Sequence, residues 1–245
     1  MMKIAIAFLI WTICSLAQAA DLSGVPRIVD SDTLAIGATK VRPAGIDAPE
    51  TDGVMLVIAQ VVSAGSFADG MAAYNRGDYA TALKLWRPLA ERGNADAQVL
   101  LGNMYSEGHG VPQNDAEAVS WYREAAEQGN AMGQQSLGDS YNGGFGVPQD
   151  YAEAVKWYRR AAEQGYDLGQ HSLGMMYEDG RGVPRNYVQA YMWFHLAAAI
   201  KPAWAKSIAH IDAKMTPAQI ADALRLVSQC QRQNFKGCGV LTDSR

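Results

Sequence analysis

Residues 46–52, "IDAPETD", gather three carboxylates in seven positions. A polar, acid-bearing stretch of this kind builds catalytic loops, because carboxylates serve as general bases and as ligands for hard cations. It runs straight into 54–62, "VMLVIAQVV", eight apolar residues and one glutamine, which reads like the core of an export signal. Elsewhere the usual constellations are missing. There is no Ser-His-Asp pattern, no Walker loop and no HExxH motif.

The elements around that loop read as strands. "RIVDSDTLAI" and "TKVRPAGI" alternate apolar and polar residues and meet at Gly37, as a β-hairpin does. Residues 27–52, "RIVDSDTLAIGATKVRPAGIDAPETD", resemble the start of thermonuclease-like domains of the staphylococcal nuclease family. That resemblance implies an OB-fold barrel cleaving phosphodiesters with calcium. By position in the motif, Asp32 and Asp47 match the calcium-binding carboxylates, Arg42 an arginine that stabilises phosphate charge, and Glu50 the general base. Ser31 and Pro43 depart from the family's usual glycine and leucine, and the resemblance stops at Asp52. The rest of the barrel and the second catalytic arginine have no counterpart. A lone hairpin is marginal in water and catalysis needs rigidly held groups, so nuclease activity is not expected of this chain.

The first nineteen residues have the form of a secretory signal: Lys3, an apolar run over 4–16, and Ala17-Gln18-Ala19 as cleavage site. Thirteen residues are too few to span a bilayer. Ile13 before Cys14 does not fit a lipoprotein signal. The expected location is therefore periplasmic or secreted. Loss of Cys14 leaves Cys230 and Cys238, an even pair suited to a disulfide in an oxidising compartment. Residues 54–68 resemble the signal end of a separate precursor, with Ser66-Phe67-Ala68 as a second small-x-small site. Either a second cut after Ala68 discards the fragment, or 54–62 packs as an extra strand or helix against the first repeat; the sequence leaves both open. With 49% hydrophobic and 19% charged residues, a net charge of −4 and no basic run, the chain is neither disordered nor built to capture nucleic acid by charge.

From residue 95 onward the sequence repeats every 36 residues. Leu101, Leu137 and Leu173 correspond, as do Tyr105, Tyr141 and Tyr177, and Trp121, Trp157 and Trp193; all nine are expected in the repeat core. Such a period signals a solenoid of short supersecondary units. Each unit reads as two antiparallel helices. The first ends at a G-x-G turn followed by proline (Gly108, Gly110, Pro112). The second is opened by Asn114, Asp150 or Asn186, with Glu or Gln three residues on. The glycine pairs lack the strand that phosphate loops require, so capping explains them. His109 falls where Phe145 and Arg181 stand, and His195 where Arg123 and Arg159 stand; both read as surface positions. A degenerate unit over 69–94 serves as N-terminal cap. Thr216-Pro217-Ala218-Gln219 starts a closing helix to about Val227.

"LGNMYSEGHGVPQNDAEAVSWYREAAEQG", present in three versions, resembles the Sel1-like repeat, an αα relative of tetratricopeptide units. The resemblance covers about residues 67–238. It implies an all-α superhelix whose concave groove holds a protein or peptide, and an adaptor or regulator role in the bacterial envelope. The expected organisation is signal peptide 1–19, truncated nuclease-like fragment 20–53, hydrophobic linker 54–68, cap 69–94, three repeats over 95–200, and capping helices with a tail over 201–245. Partner-binding positions are expected where the units differ on first helices and turns: Asn103, Glu107, Asp139, Gly143, Met175 and Asp179. No cofactor is expected of the repeats. A cysteine-rich Sel1-like subset linked to β-lactams carries a cysteine pair in each repeat; this chain has none there.

Overall fold

The computed structural model describes residues 66–238 in full and, before them, the backbone of three short strands. The chain divides into two units, Met1–Ser66 and Phe67–Arg245. In the first, β1 (Arg27–Asp30), β2 (Thr33–Ile36) and β3 (Thr39–Val41) form an antiparallel sheet in the order β1-β2-β3. Leu34 lies opposite Ile28 on one side and Val41 on the other, and the register slips between Ile28 and Asp30. Asp32, Arg42, Asp47, Glu50 and both signal-like segments up to residue 65 lie outside the described residues.

From residue 66 onward the described chain is helical. A first stretch, α1 (66–75), pairs with α2 (Tyr79–Glu91). Three helical hairpins come next: α3 (Ala95–Glu107) with α4 (Asp115–Glu127), α5 (Ala131–Gly143) with α6 (Tyr151–Ala162), and α7 (Asp167–Asp179) with α8 (Tyr187–Ile200). A 3-10 turn at Pro202–Trp204, α9 (Ala205–Asp212) and α10 (Pro217–Arg232) pack on α8 and close the stack.

Local sequence sets each boundary. Side chains of Asn114, Asp150 and Asn186 accept hydrogen bonds from the backbone N–H three residues on, satisfying a donor that the helix leaves orphaned. Thr216 and Gln219 bond reciprocally at the start of α10. First helices end at Gly108, Gly144 and Gly180 in the left-handed conformation. The second glycine of each turn has another reason. A Cβ on Gly146 or Gly182 would stand 2.2 Å from the carbonyl oxygen of Asp115 or Tyr151, so each turn sits directly on the start of the preceding repeat's second helix.

Leu101, Leu137 and Leu173 are fully buried, as are Trp86 and Trp193. Trp157 and Tyr177 are buried, whereas Tyr105, Tyr141 and Trp121 are only partly so and pack against the core from its margin. Truncating any of the three leucines to alanine is expected to cost about 2–5 kcal/mol. First helices of successive repeats touch one another, α3 with α5 and α5 with α7; no second-helix pair packs as closely among the described residues. The stack is therefore tighter on its first-helix side, hereafter the inner face.

At both ends the helical stack runs past the bounds read from sequence. Ser66-Phe67-Ala68 is helical, and the partly buried Phe67 packs against the first core cluster: its carbonyl accepts the indole N–H of fully buried Trp86 at 3.2 Å. At the other end α10 runs to Arg232, past Val227. Its apolar face continues through Ala223, Val227 and Cys230 into the last core cluster. Cys230 and Cys238 form a disulfide with Cα atoms 5.3 Å apart, and both are buried.

Candidate functional site

Two ladders, one buried and one half-buried, hold neighbouring repeats in register. Gln98, Gln134 and Gln170 each donate through Nε2 to a carbonyl eight residues back, that of Ala90, Ala126 or Ala162. The Oε1 of Gln98 accepts from Gln128 at 2.6 Å, and that of Gln134 from Gln164 at 2.8 Å. The second ladder joins an arginine on one second helix to the tyrosine of the next first helix. Arg87 donates to the Tyr105 hydroxyl at 2.9 Å, Arg123 to Tyr141 at 3.1 Å and Arg159 to Tyr177 at 2.6 Å. Arg123 and Arg159 are thus inter-repeat ties rather than plain surface residues. His195, in the same phase, is half-buried beside Tyr191, and burial pulls its pKa down.

Within each repeat, small residues let an aromatic ring cross the first helix. A Cβ on Gly102, Gly138 or Gly174 would meet the ring of Tyr122, Tyr158 or Phe194 at 2.5–2.6 Å. Passing over the glycine, the tyrosine hydroxyl reaches the next residue: Tyr122 donates to Asn103 at 2.8 Å and Tyr158 to Asp139 at 2.7 Å. In the third repeat Phe194 has no hydroxyl, and Met175 stands where the acceptor would be. Burial pushes the Tyr122 phenol up to about 12 and raises that of Tyr158 further, with the neighbouring Asp139 charge adding to it. Burial also raises the Asp139 carboxyl, against the hydrogen bonds from Tyr158 and Gln135.

Asn103, Glu107 and Asp139 line one cleft of about 460 Å³ between α3, α4 and α5, together with Ser106, Gln113, Asp115, Tyr122, Ser136, Ser140 and Phe145. Gly143 lies beneath the Phe145 ring, where a Cβ would be 2.1 Å from it. Met175 and Asp179 sit farther along on α7; Met175 is exposed and Asp179 pairs with Arg181 at 2.6 Å. Phe145, Ser136, Ser140 and Asp115 were not anticipated from sequence. The signal was present as departures from the 36-residue phase, since Ser140 replaces Met104 and Met176.

His109 is not simply exposed. Its ring stacks on Tyr79 at 4.1 Å, and Nδ1 lies 2.9 Å from Glu107 and 3.2 Å from the Tyr74 hydroxyl. Tyr74 donates to Glu107 at 3.0 Å; burial, then this bond, push its phenol up to about 12. Among the described residues no group of His, Cys, Asp and Glu is placed to hold a metal ion. No described helix is long and apolar enough to cross a membrane.

An all-helical stack with a constant framework and a varied inner face defines a helical-repeat solenoid. Comparison with known proteins specifies which. Residues 95–130, 131–166 and 167–200 match the family described as Sel1 repeat, so the chain carries three Sel1 repeats. The crystal structure of a Sel1 repeat protein from Oxalobacter formigenes aligns with a TM-score of 0.58 at 28% identity, covering 69% of this chain and 77% of that one. A protective antigen of uropathogenic Escherichia coli strains, displaying an SLR fold, aligns over 82% of this chain and 52% of its own at 26% identity, with a TM-score of 0.49. An exopolysaccharide production negative regulator of Rhizobium meliloti (strain 1021) is 33% identical over 101 residues, 41% of this chain. The match spans 36% of that regulator's length. Sel1 repeats mediate protein–protein interaction, and the Rhizobium meliloti relative is named a regulator.

Proposed function

We propose that this chain is a non-catalytic adaptor or regulator of the bacterial envelope, working in the periplasm or outside the cell, that holds a protein partner on the inner face of its first helices. The observation that carries the reading is the contrast between framework and face. The glycine and leucine positions and the first-helix members of the ladders recur in every repeat, whereas Asn103, Asp139 and Met175, at one inner position, differ in charge, size and polarity. Solenoids present extended surfaces of this kind to partners. The envelope location is supported by the signal-like first nineteen residues and by the buried Cys230–Cys238 disulfide, which suits an oxidising compartment. The regulatory part of the reading draws on the Rhizobium meliloti relative.

Photo-cross-linking in the producing cells tests it. Benzoylphenylalanine at Phe145 or Met175, both exposed, should capture one discrete protein. The same probe at Glu127 or Lys156, exposed on second helices, should not. Capture only from the second helices would overturn the reading. No cofactor enters this function. The competing activity implied by residues 32–50 is calcium-dependent phosphodiester cleavage. DNA cleavage by the purified chain in calcium, abolished by Glu50→Ala, would displace the adaptor reading.

A further inference from the structure

The cleft between α3, α4 and α5 carries a chemical bias that narrows the partner. Ser140 is small where the adjoining repeats have Met104 and Met176, so the inner face is hollowed at the middle repeat. Three carboxylates, Glu107, Asp115 and Asp139, line the hollow, and no lysine or arginine does. Asp139 is fixed by Tyr158 and Gln135, which both donate to Oδ1, leaving Oδ2 outside those two bonds. The aromatic rim is a separate observation. The equivalents of Phe145 are engaged by neighbours: His109 stacks on Tyr79, while Arg181 lies over Tyr151 and pairs with Asp179. Phe145 is in no ring pair among the described residues, is 60% exposed, and is seated over Gly143.

We propose that this cleft receives an arginine side chain from an extended basic segment of the partner; the inference rests on the interaction reading above. Separated carboxylate and hydroxyl oxygens suit the planar fork of guanidinium donors, and an exposed aromatic face stabilises a cation laid on it. A charged group entering here meets three negative charges and no lining cation. Lysine, a point charge with three donors, would use fewer of these oxygens.

The test is an NMR titration of the ¹⁵N-labelled full chain with the peptide Ac-Gly-Arg-Ala-Arg-Gly-NH2, beside the same peptide carrying neutral citrulline for arginine. Amide shifts should concentrate at residues 103–107 and 136–145. The citrulline peptide should bind about tenfold more weakly, because the charge-assisted bonds are lost. Asp139→Asn and Phe145→Ala should each weaken the arginine peptide by about three- to tenfold, while Asp222→Asn, on exposed α10, should leave it unchanged. Asp139→Asn keeps an acceptor for Tyr158, the arrangement that Asn103 already has with Tyr122, so the fold is retained. Equal binding of the two peptides, shifts spread over the whole surface, or equal loss with Asp222→Asn would overturn the proposal. If Met175 cross-links a partner while the arginine peptide fails, the interaction reading stands and this chemistry falls.

Discussion

The glutamine ladder stops one rung short, and the missing rung can be supplied. Gln98 and Gln134 each receive a bond from a glutamine thirty residues later, but Gln170 would need a donor at position 200, which is isoleucine. The Gln170 Oε1 is buried with no hydrogen-bond partner among the described residues, while Ile200 is 50% exposed. Ile200→Gln should therefore stabilise the protein. Ending a buried orphan acceptor is worth about 1–3 kcal/mol. Against it stand about 1 kcal/mol of half-buried isoleucine surface, much of it retained by the glutamine methylenes, and the entropy of ordering a longer side chain. The net gain is about 1 kcal/mol, which for a domain of this size raises Tm by about 2–4 °C. Thermal unfolding followed by circular dichroism, without reductant, measures it. The control is the same change in a Gln170→Met background, where no acceptor remains. There the gain should vanish. A gain of equal size in both backgrounds, or none in the first, would refute the argument that the ladder is unfinished.

Three further outcomes rest on single contacts in the stack. A chain starting at Asp69 loses Phe67 and with it the acceptor of the Trp86 indole; it should be about 2–4 kcal/mol less stable than one starting at Ser66, measured by urea unfolding. Because burial raises the Asp139 carboxyl, the folded state holds that proton more tightly than the unfolded chain, so its contribution is present at low pH and is lost as pH rises through the raised pKa. Asp139→Asn should accordingly be more stable than the parent at pH 7, with the difference shrinking toward pH 4; an unchanged difference across that range would show that the carboxyl is not perturbed. Reduction of Cys230–Cys238 opens a loop of eight residues' separation and should cost about 2.5 kcal/mol, read as a lowered Tm in dithiothreitol.

The helices were legible in sequence wherever local chemistry decides them. Asn114, Asp150 and Asn186 satisfy orphan donors, and Gly108, Gly144 and Gly180 adopt a conformation few other residues accept, so boundaries followed from residue type alone. The end of α10 was misplaced because tertiary packing, through Cys230, carries the helix past its weak local signal. Long-range ties were harder. Gln98, Gln134 and Gln170 are visibly periodic, yet a glutamine signals solvent until the stack buries it. The partners of Arg123 and Arg159 are hidden for the same reason, since nothing local reveals a tyrosine hydroxyl one repeat away. At the cleft, Asn103, Glu107 and Asp139 could be picked out by variation between units. Phe145 and Ser140 could not be placed there without knowing that one ring folds back over Gly143 and that the hollow opens where methionine is missing.

The ring that crosses each glycine also governs how such a surface can evolve. An inner residue at the Asn103 or Asp139 position is answerable to a tyrosine hydroxyl on the other helix of its own repeat. Changing the inner residue alone to an apolar one takes that hydroxyl's acceptor away, leaving Tyr122 only Ser106, while the third repeat, with Met175 and Phe194, has altered both members. Specificity in this array therefore drifts in paired steps within a unit, leaving neighbouring units untouched. Because α3, α4 and α5 share the cleft, two adjoining repeats, rather than a single residue, are the smallest piece that can be exchanged between arrays while carrying it intact.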